Sequence, residues 1–204
     1  VDKLPGPAPA PGRAAGARAE MIPIPAGLAT LGKPRQEGFG WDNEFEAHGV
    51  EVAAFTAARH KVTNQDYLDF VAAGAAAPHF WVRRDGAWYY RGMFAEAPLP
   101  LDQPVYVTHA EAAAYAAWRG LRLPTEAEWQ RMAYGTPTGE ERPYPWGAMP
   151  PVAAAGNFDL RYWDPVSTHA PETASAGCVV EWVGNGWEWT ASTFGPFRGL
   201  EAFA

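Results

Sequence analysis

The stretch VGNGWEWT at residues 183–190 decides the fold, because it places two tryptophans around a carboxylate directly after a glycine-asparagine-glycine turn. The glycines let the backbone take positive φ, so that the carbonyls of the turn can face a common point. Each tryptophan has a large apolar ring whose N–H needs a partner, and we therefore expect Trp187 and Trp189 to anchor the turn in an aromatic core. Glu188 between them is costly to bury unless it is paired, hydrogen-bonded or bound to a cation.

The composition of the whole chain predicts a globular protein. Its 204 residues are 48% hydrophobic and 14% aromatic, which is enough for a substantial core. The net charge of -7 argues against a nucleic-acid or anionic-membrane partner, since no basic run is present to neutralise phosphates. No apolar run approaches the roughly 20 residues that span a bilayer, and the first residues do not have the pattern of a secretory signal, so a cytoplasmic setting is expected.

The character of the chain changes at about residue 20. Residues 1–20 carry closely spaced prolines and little that could be buried, which predicts a proline-rich linker or arm. The folded domain is predicted over residues 21–204, with short strands within 21–27 and 29–32 and a weaker strand over 50–55. Beyond residue 135, proline, glycine, tryptophan and tyrosine dominate without a helical or strand period, which predicts long ordered loops held by buried aromatics.

Three helices are predicted from their capping residues. A threonine followed three residues later by a glutamate forms a capping box, and this pattern occurs at Thr108 and Thr125. The two helices that begin there end at Gly120 and Gly135, and the short connection between them leads us to expect that they pack together. Thr63 can cap a third helix, which would begin directly after it and run through residues 67–71.

Residue types that usually carry catalysis are sparse. None of the five histidines lies three or four residues from another, and Cys178 is the single cysteine, so we expect no complete transition-metal site within the chain. The apolar neighbours of Cys178 predict a buried structural thiol rather than a nucleophile. The sequence lacks the motifs typical of serine hydrolases, kinases and dehydrogenases.

A second dense cluster, FGWDNE at residues 39–44, leaves two interpretations open. Its carboxylates, amide and aromatic rings could line a polar pocket for a small cationic or zwitterionic ligand. Alternatively, Asp42 and Asn43 only bond local backbone and hold a loop. Trp81 and the aromatics that follow it are typical of a core rather than of a ligand platform.

Several motifs together resemble the formylglycine-generating-enzyme (sulfatase-modifying factor) fold, in the order seen in that superfamily. They are VTN at 62–64, RLPTEAEW at 122–129, YPWG at 144–147, GNF at 156–158 and VGNGWEWT at 183–190. The stretches FGWDNE at 39–44 and LPLDQPVYV at 99–107 are most similar to the C-terminal domain of the ergothioneine-pathway sulfoxide synthases and of their relatives, the selenoneine synthases.

This resemblance implies an α+β, C-type-lectin-like fold with few regular elements and long ordered loops. It implies a non-haem Fe(II)- and O₂-dependent enzyme that joins a sulfur or selenium donor to the imidazole carbon of hercynine, a trimethylated histidine; the sequence does not choose between the two donors. In that family the iron is held by histidines of an N-terminal DinB-type helical domain, so the ligands are expected outside this segment, as is a further C-terminal segment of the domain. The resemblance places Trp41, Asp42, Asn43 and Glu44 near the substrate.

In the formylglycine-generating branch, oxygens around the tryptophan-rich turn bind a structural calcium ion. The matching groups here are the carbonyls of Gly184 and Gly186 and the Glu188 carboxylate, although Glu181 stands near the position of an amide ligand, so an altered or absent site stays open. That branch also binds copper through a cysteine pair, which Cys178 alone cannot supply. A non-enzymatic lectin-like module for small molecules is the alternative, since function lies in sites grafted onto a fold.

Overall fold

The computed structural model describes residues 20–151, 156–158, 162, 164–168, 183–197 and 200–202. The predictions for Cys178, for Glu181 and for the linker over 1–20, apart from residue 20, fall outside these ranges. The regular elements are β1 (Met21–Ile24), β2 (Gly27–Leu31), β3 (His48–Val52), β4 (Phe55–Ala58), α1 (Asn64–Ala72), β5 (Trp81–Arg84), β6 (Ala87–Arg91), β7 (Glu96–Pro98), α2 (His109–Trp118) and α3 (Glu126–Tyr134). The α+β prediction is confirmed. No helix within these ranges has the length and apolar character needed to cross a membrane.

The strands form three small antiparallel sheets. β1 pairs with β4, β2 pairs with β3, and β5, β6 and β7 form a meander. The single strand predicted over 50–55 is wrong, because β3 ends at Val52 and β4 begins at Phe55. The two intervening residues let the chain exchange one strand partner for another, so β3 and β4 lie in different sheets.

The predicted helix starts are confirmed at each of the three threonine caps. The hydroxyls of Thr63, Thr108 and Thr125 each accept a hydrogen bond from the N–H three residues ahead. The carboxylate of that third residue accepts the N–H of the cap in return, so two otherwise unpaired backbone donors are satisfied at every start. In α1 the returning carboxylate is Asp66, which gives Thr63 the same reciprocal box.

We expected α2 and α3 to pack closely together, but each of these helices makes its main contacts with other elements. α2 contacts α1, whereas α3 lies across β2 and β3. α2 and α3 therefore contribute to different core clusters. Ile22, Ile24, Met132 and Ala133 form the buried cluster between the first strands and α3. The second cluster is aromatic and consists of Tyr67, Trp81 and Tyr115, with Tyr67 stacked on Tyr115 at a ring-centroid distance of 5.6 Å.

Arg131 joins the turn between β1 and β2 to the end of α3. Its side chain is 1% exposed, and its Nε donates to the carbonyl of Pro25 at 3.1 Å. Its Nη2 donates to Ala26 O at 3.3 Å and to Thr136 O at 2.9 Å. A side chain at Gly135 would place its Cβ 2.1 Å from Arg131 Nη1, so the glycine that ends α3 is required by this packing.

Candidate functional site

A groove of about 790 Å³ lies between the two core clusters. Its walls are β4, parts of α2 and α3, and the turn at residues 184–189, which we call the Trp-Glu-Trp turn. Most of the surface that lines it is apolar. Among its side chains are Phe55, Tyr106, Tyr115, Leu121, Trp187 and Trp189. An apolar concavity with a few polar groups at its edge is the usual form of a small-molecule site.

The Trp-Glu-Trp turn has the backbone that its sequence predicts. Gly184, Asn185 and Gly186 have φ values of 85°, 55° and 116°. The Asn185 side chain is buried, and it accepts the N–H of Val166 at 2.8 Å while donating to Val166 O at 3.0 Å. Asn157 Nδ2 donates to the same Asn185 oxygen at 3.1 Å. A single amide thus fixes the turn to two neighbouring loops.

The prediction that both tryptophans anchor this turn in an aromatic core is wrong. The Trp187 side chain is 101% exposed and Trp189 is 49% exposed. Trp189 donates its indole N–H to Val107 O at 2.9 Å and makes an edge-to-face contact with His109. The buried side chain that anchors the turn is instead the amide of Asn185, and both tryptophans line the groove.

Glu188 has the partner that its position between two tryptophans requires. Its carboxylate forms an ion pair with the ammonium group of Lys61, and the two side chains are 22% and 7% exposed. Lys61 was not predicted as a functional residue. Its position directly before the VTN motif is the one feature of the sequence that could have drawn attention to it. A calcium ion held by Glu188 and the carbonyls of Gly184 and Gly186 stays a prediction, and such an ion would have to displace this ammonium group.

Three of the four predicted substrate-binding residues form a short 3-10 turn, Asp42–Glu44, between β2 and β3, and Trp41 directly precedes it. The Glu44 carboxylate accepts the N–H of Trp41 at 2.6 Å, and Asp42 Oδ1 accepts the N–H of Asn43 at 2.8 Å. The Trp41 ring is 62% exposed and makes an edge-to-face contact with Phe39. These residues do not line the groove, and their contact with substrate stays a prediction.

Arg122 and Glu128 form a charged pair that lines one side of the groove. Two parallel hydrogen bonds of 2.6 Å join the Arg122 guanidinium to the Glu128 carboxylate, which also accepts the N–H of Thr125 at 2.8 Å. The hydrogen bond from Arg122 is the main cause that lowers the pKa of Glu128 to about 2, with smaller contributions from Thr125 and partial opposition from burial. The sequence predicted Glu128 only as a capping residue.

Substituting Glu128→Gln should lower the free energy of unfolding by about 1 kcal/mol at neutral pH, since solvent screens much of the ion pair. The Glu128 pKa is lowered in the folded state from its ordinary value of 4.5, so its contribution is complete above pH 4.5 and is lost as the pH falls towards 2. Urea denaturation at neutral pH and at successively lower pH should show the wild type and E128Q converging. Glu126→Gln, in the same first turn of α3, serves as the control and should show no comparable convergence.

Tyr106 contributes a phenol to the groove wall. Burial raises its pKa, and the nearby Asp164 carboxylate raises it further. Tyr90 is likewise held neutral by burial and by a hydrogen bond to Asp164, which raise its pKa. The Tyr106 hydroxyl is therefore neutral at physiological pH and can donate a hydrogen bond.

The described elements define an α+β domain in which loops and short sheets surround an aromatic-walled groove. The chain belongs to the family of sulfatase-modifying factor enzyme 1-like domains, whose family model matches residues 7–202. The resemblance to the formylglycine-generating-enzyme fold is thereby confirmed. A solved structure of PvdO from Pseudomonas aeruginosa shares the fold with a TM-score of 0.63 and 26% identity, over 87% of this chain and 72% of that one.

Curated relatives include enzymes of two kinds. The hercynine oxygenase of Mycolicibacterium smegmatis is 36% identical over 94% of this chain and 50% of its own length. The hercynine oxygenase of Mycobacterium tuberculosis is 38% identical over 78% of this chain and 42% of its own length. The formylglycine-generating enzyme of Thermomonospora curvata is 29% identical over 84% of this chain and 70% of its own length. The chain thus spans half or less of the hercynine oxygenases that it matches.

Proposed function

We propose that this domain forms the substrate-binding half of an Fe(II)- and O₂-dependent enzyme that joins a sulfur or selenium donor to the imidazole carbon of hercynine. The observation that carries the proposal is the 36% to 38% identity to hercynine oxygenases over most of the chain. The aromatic groove supports it, because a pocket for a trimethylated histidine needs both apolar surface and a face for its quaternary ammonium group. Which donor is used is left open by the identity alone.

Hercynine is expected to lie against the exposed indole of Trp187 and the neighbouring Trp189. Aromatic faces attract a quaternary ammonium group electrostatically, and the attraction grows where water is displaced. The neutral hydroxyl of Tyr106 can donate a hydrogen bond to an acceptor of the substrate. Trp41, Asp42, Asn43 and Glu44 remain proposed as a second set of contacts to the substrate, on the side of β2 and β3.

Iron is proposed to be supplied by a DinB-type helical partner domain. Among the residues that the structure describes, no group of three or more His, Cys, Asp or Glu side chains could hold a metal ion. When bound by the partner, iron would supply the activation of O₂. The part of this chain would be to orient hercynine in the groove and to keep water from the reacting carbon.

The proposal is tested by assaying O₂ consumption and product formation with hercynine, Fe(II) and a thiol or selenium donor. The protein joined to its helical domain should be active, whereas residues 1–204 alone should be inactive; turnover by this segment alone would contradict the placement of the iron ligands. Trp187→Ala should weaken hercynine binding roughly tenfold, since one cation–π contact of about 1.4 kcal/mol is removed.

The control for Trp187→Ala is Trp118→Ala, because Trp118 is 44% exposed on α2 but packs on Phe70 outside the groove. Trp41→Ala tests the second set of contacts in the same assay. Loss of binding in W41A with none in W187A would move the substrate from the groove to the turn between β2 and β3. Binding of hercynine without turnover, even with iron and the helical domain present, would favour a lectin-like binding module.

A further inference from the structure

We propose that the ammonium group of Lys61 is the cation that organises the Trp-Glu-Trp turn, so that this wall of the groove is held without a divalent metal ion. The proposal does not depend on which substrate the groove takes. It rests on the ion pair between Lys61 and Glu188, on the burial of the Lys61 side chain and on Glu188 being the acidic residue of the turn.

The lysine approaches from a rigid part of the fold. Residue 62, directly after it, accepts a backbone hydrogen bond from Val105 at 3.0 Å, and Thr63 forms a bridge with Pro104 before capping α1. The ammonium group at the end of the Lys61 side chain is thus delivered from a fixed backbone, and that side chain is only 7% exposed. A buried ammonium that had no anion beside it would be strongly disfavoured, so the pair has a defined geometry.

The opposite partner is equally fixed. Asn185, three residues before Glu188 in the chain, holds the turn to Val166 through its side-chain amide. Calcium takes six to eight oxygen ligands, drawn from carboxylates, backbone and amide carbonyls, and waters. Glu188 is the acidic side chain of this turn, and no cluster of three metal-binding side chains occurs in the described part of the chain. One ammonium balances one carboxylate, whereas a divalent ion would leave excess positive charge in an apolar groove.

The melting temperature of the wild-type protein should therefore be unchanged by EDTA and by millimolar Ca²⁺. Lys61→Ala should lower it by about 5 °C or more, because the partly buried Glu188 carboxylate loses its partner. The matched control is Lys33→Ala, since Lys33 is half-buried and donates to the Phe39 carbonyl at 2.7 Å rather than to a carboxylate. Equal melting temperatures for K61A and K33A would overturn the proposal.

A calcium response separates this role from simple packing. In K61A the freed carboxylate and the carbonyls of the turn become available, so about 5 mM Ca²⁺ should raise the melting temperature, consistent with millimolar affinity at weak sites. The double variant K61A/E188Q should show no such rise. Stabilisation of the wild type by Ca²⁺, or no difference between K61A and the double variant, would overturn the proposal.

If K61A does not fold, Lys61→Arg decides the matter. It keeps a positive charge next to Glu188, so it should melt close to the wild type and should be indifferent to Ca²⁺ and EDTA. A calcium-dependent K61R protein would show that the turn takes a metal ion rather than a side-chain cation.

Discussion

Arg131→Met is expected to lower the free energy of unfolding by about 3 kcal/mol, which corresponds to roughly 6–12 °C in melting temperature for a domain of this size. The guanidinium donates to three backbone carbonyls, those of Pro25, Ala26 and Thr136. Methionine fills a similar volume but removes these three hydrogen bonds, each of which contributes about 1 kcal/mol. Relief from burying a charge offsets part of that cost.

The control for this substitution is Arg83→Met, because Arg83 lies exposed on β5 with its guanidinium over the Trp88 ring. Urea denaturation should place R83M within about 0.5 kcal/mol of the wild type. Arg131→Lys keeps the charge but cannot span the three acceptors, so it should recover less than half of the loss. If R131M were no less stable than R83M, the contacts of the guanidinium would contribute nothing to joining the first strands to α3.

The helices could be predicted from sequence because their signals are local. Each capping box lies within four consecutive residues, and the hydrogen bonds at Thr63, Thr108 and Thr125 have the partners that the spacing predicts. The positive φ values of the Trp-Glu-Trp turn were predictable for the same reason, since two glycines and an asparagine tolerate them. The strand boundary at 52–55 was not, because it depends on which partner each strand finds.

The site depended on contacts that sequence spacing does not reveal. Glu188 was expected to need a partner, but Lys61 lies 127 residues before it. The burial of Trp187 was predicted from its apolar character, yet a ring can equally form the wall of a groove, and hydrophobicity alone does not separate a core from a binding surface. The residue types thus predicted that Glu188 needs a partner and that the tryptophans form an aromatic surface. Which residue is the partner, and where the surface lies, depend on the fold.

Asn185→Gly is expected to cost about 2–3 kcal/mol, because it removes the buried side-chain hydrogen bonds to Val166 and Asn157 while keeping the freedom of the backbone. Asn185→Ala should cost about 1 kcal/mol more, since its Cβ disfavours the φ of 55° found at this position. The difference between the two variants isolates the backbone contribution. Urea denaturation at neutral pH measures both.

The same two variants test whether Asn185 positions the groove wall. Once the amide no longer holds the turn to the loop at 164–168, Trp187 and Glu188 should lose their fixed placement, so hercynine binding should weaken in both variants. Asn185→Asp is the sharper comparison, because it keeps the acceptor for the Val166 N–H but sets a negative charge against the Val166 carbonyl. It should fall between the wild type and N185G in stability. A glycine variant as stable as the wild type would show that the Asn185 amide is not what holds the turn.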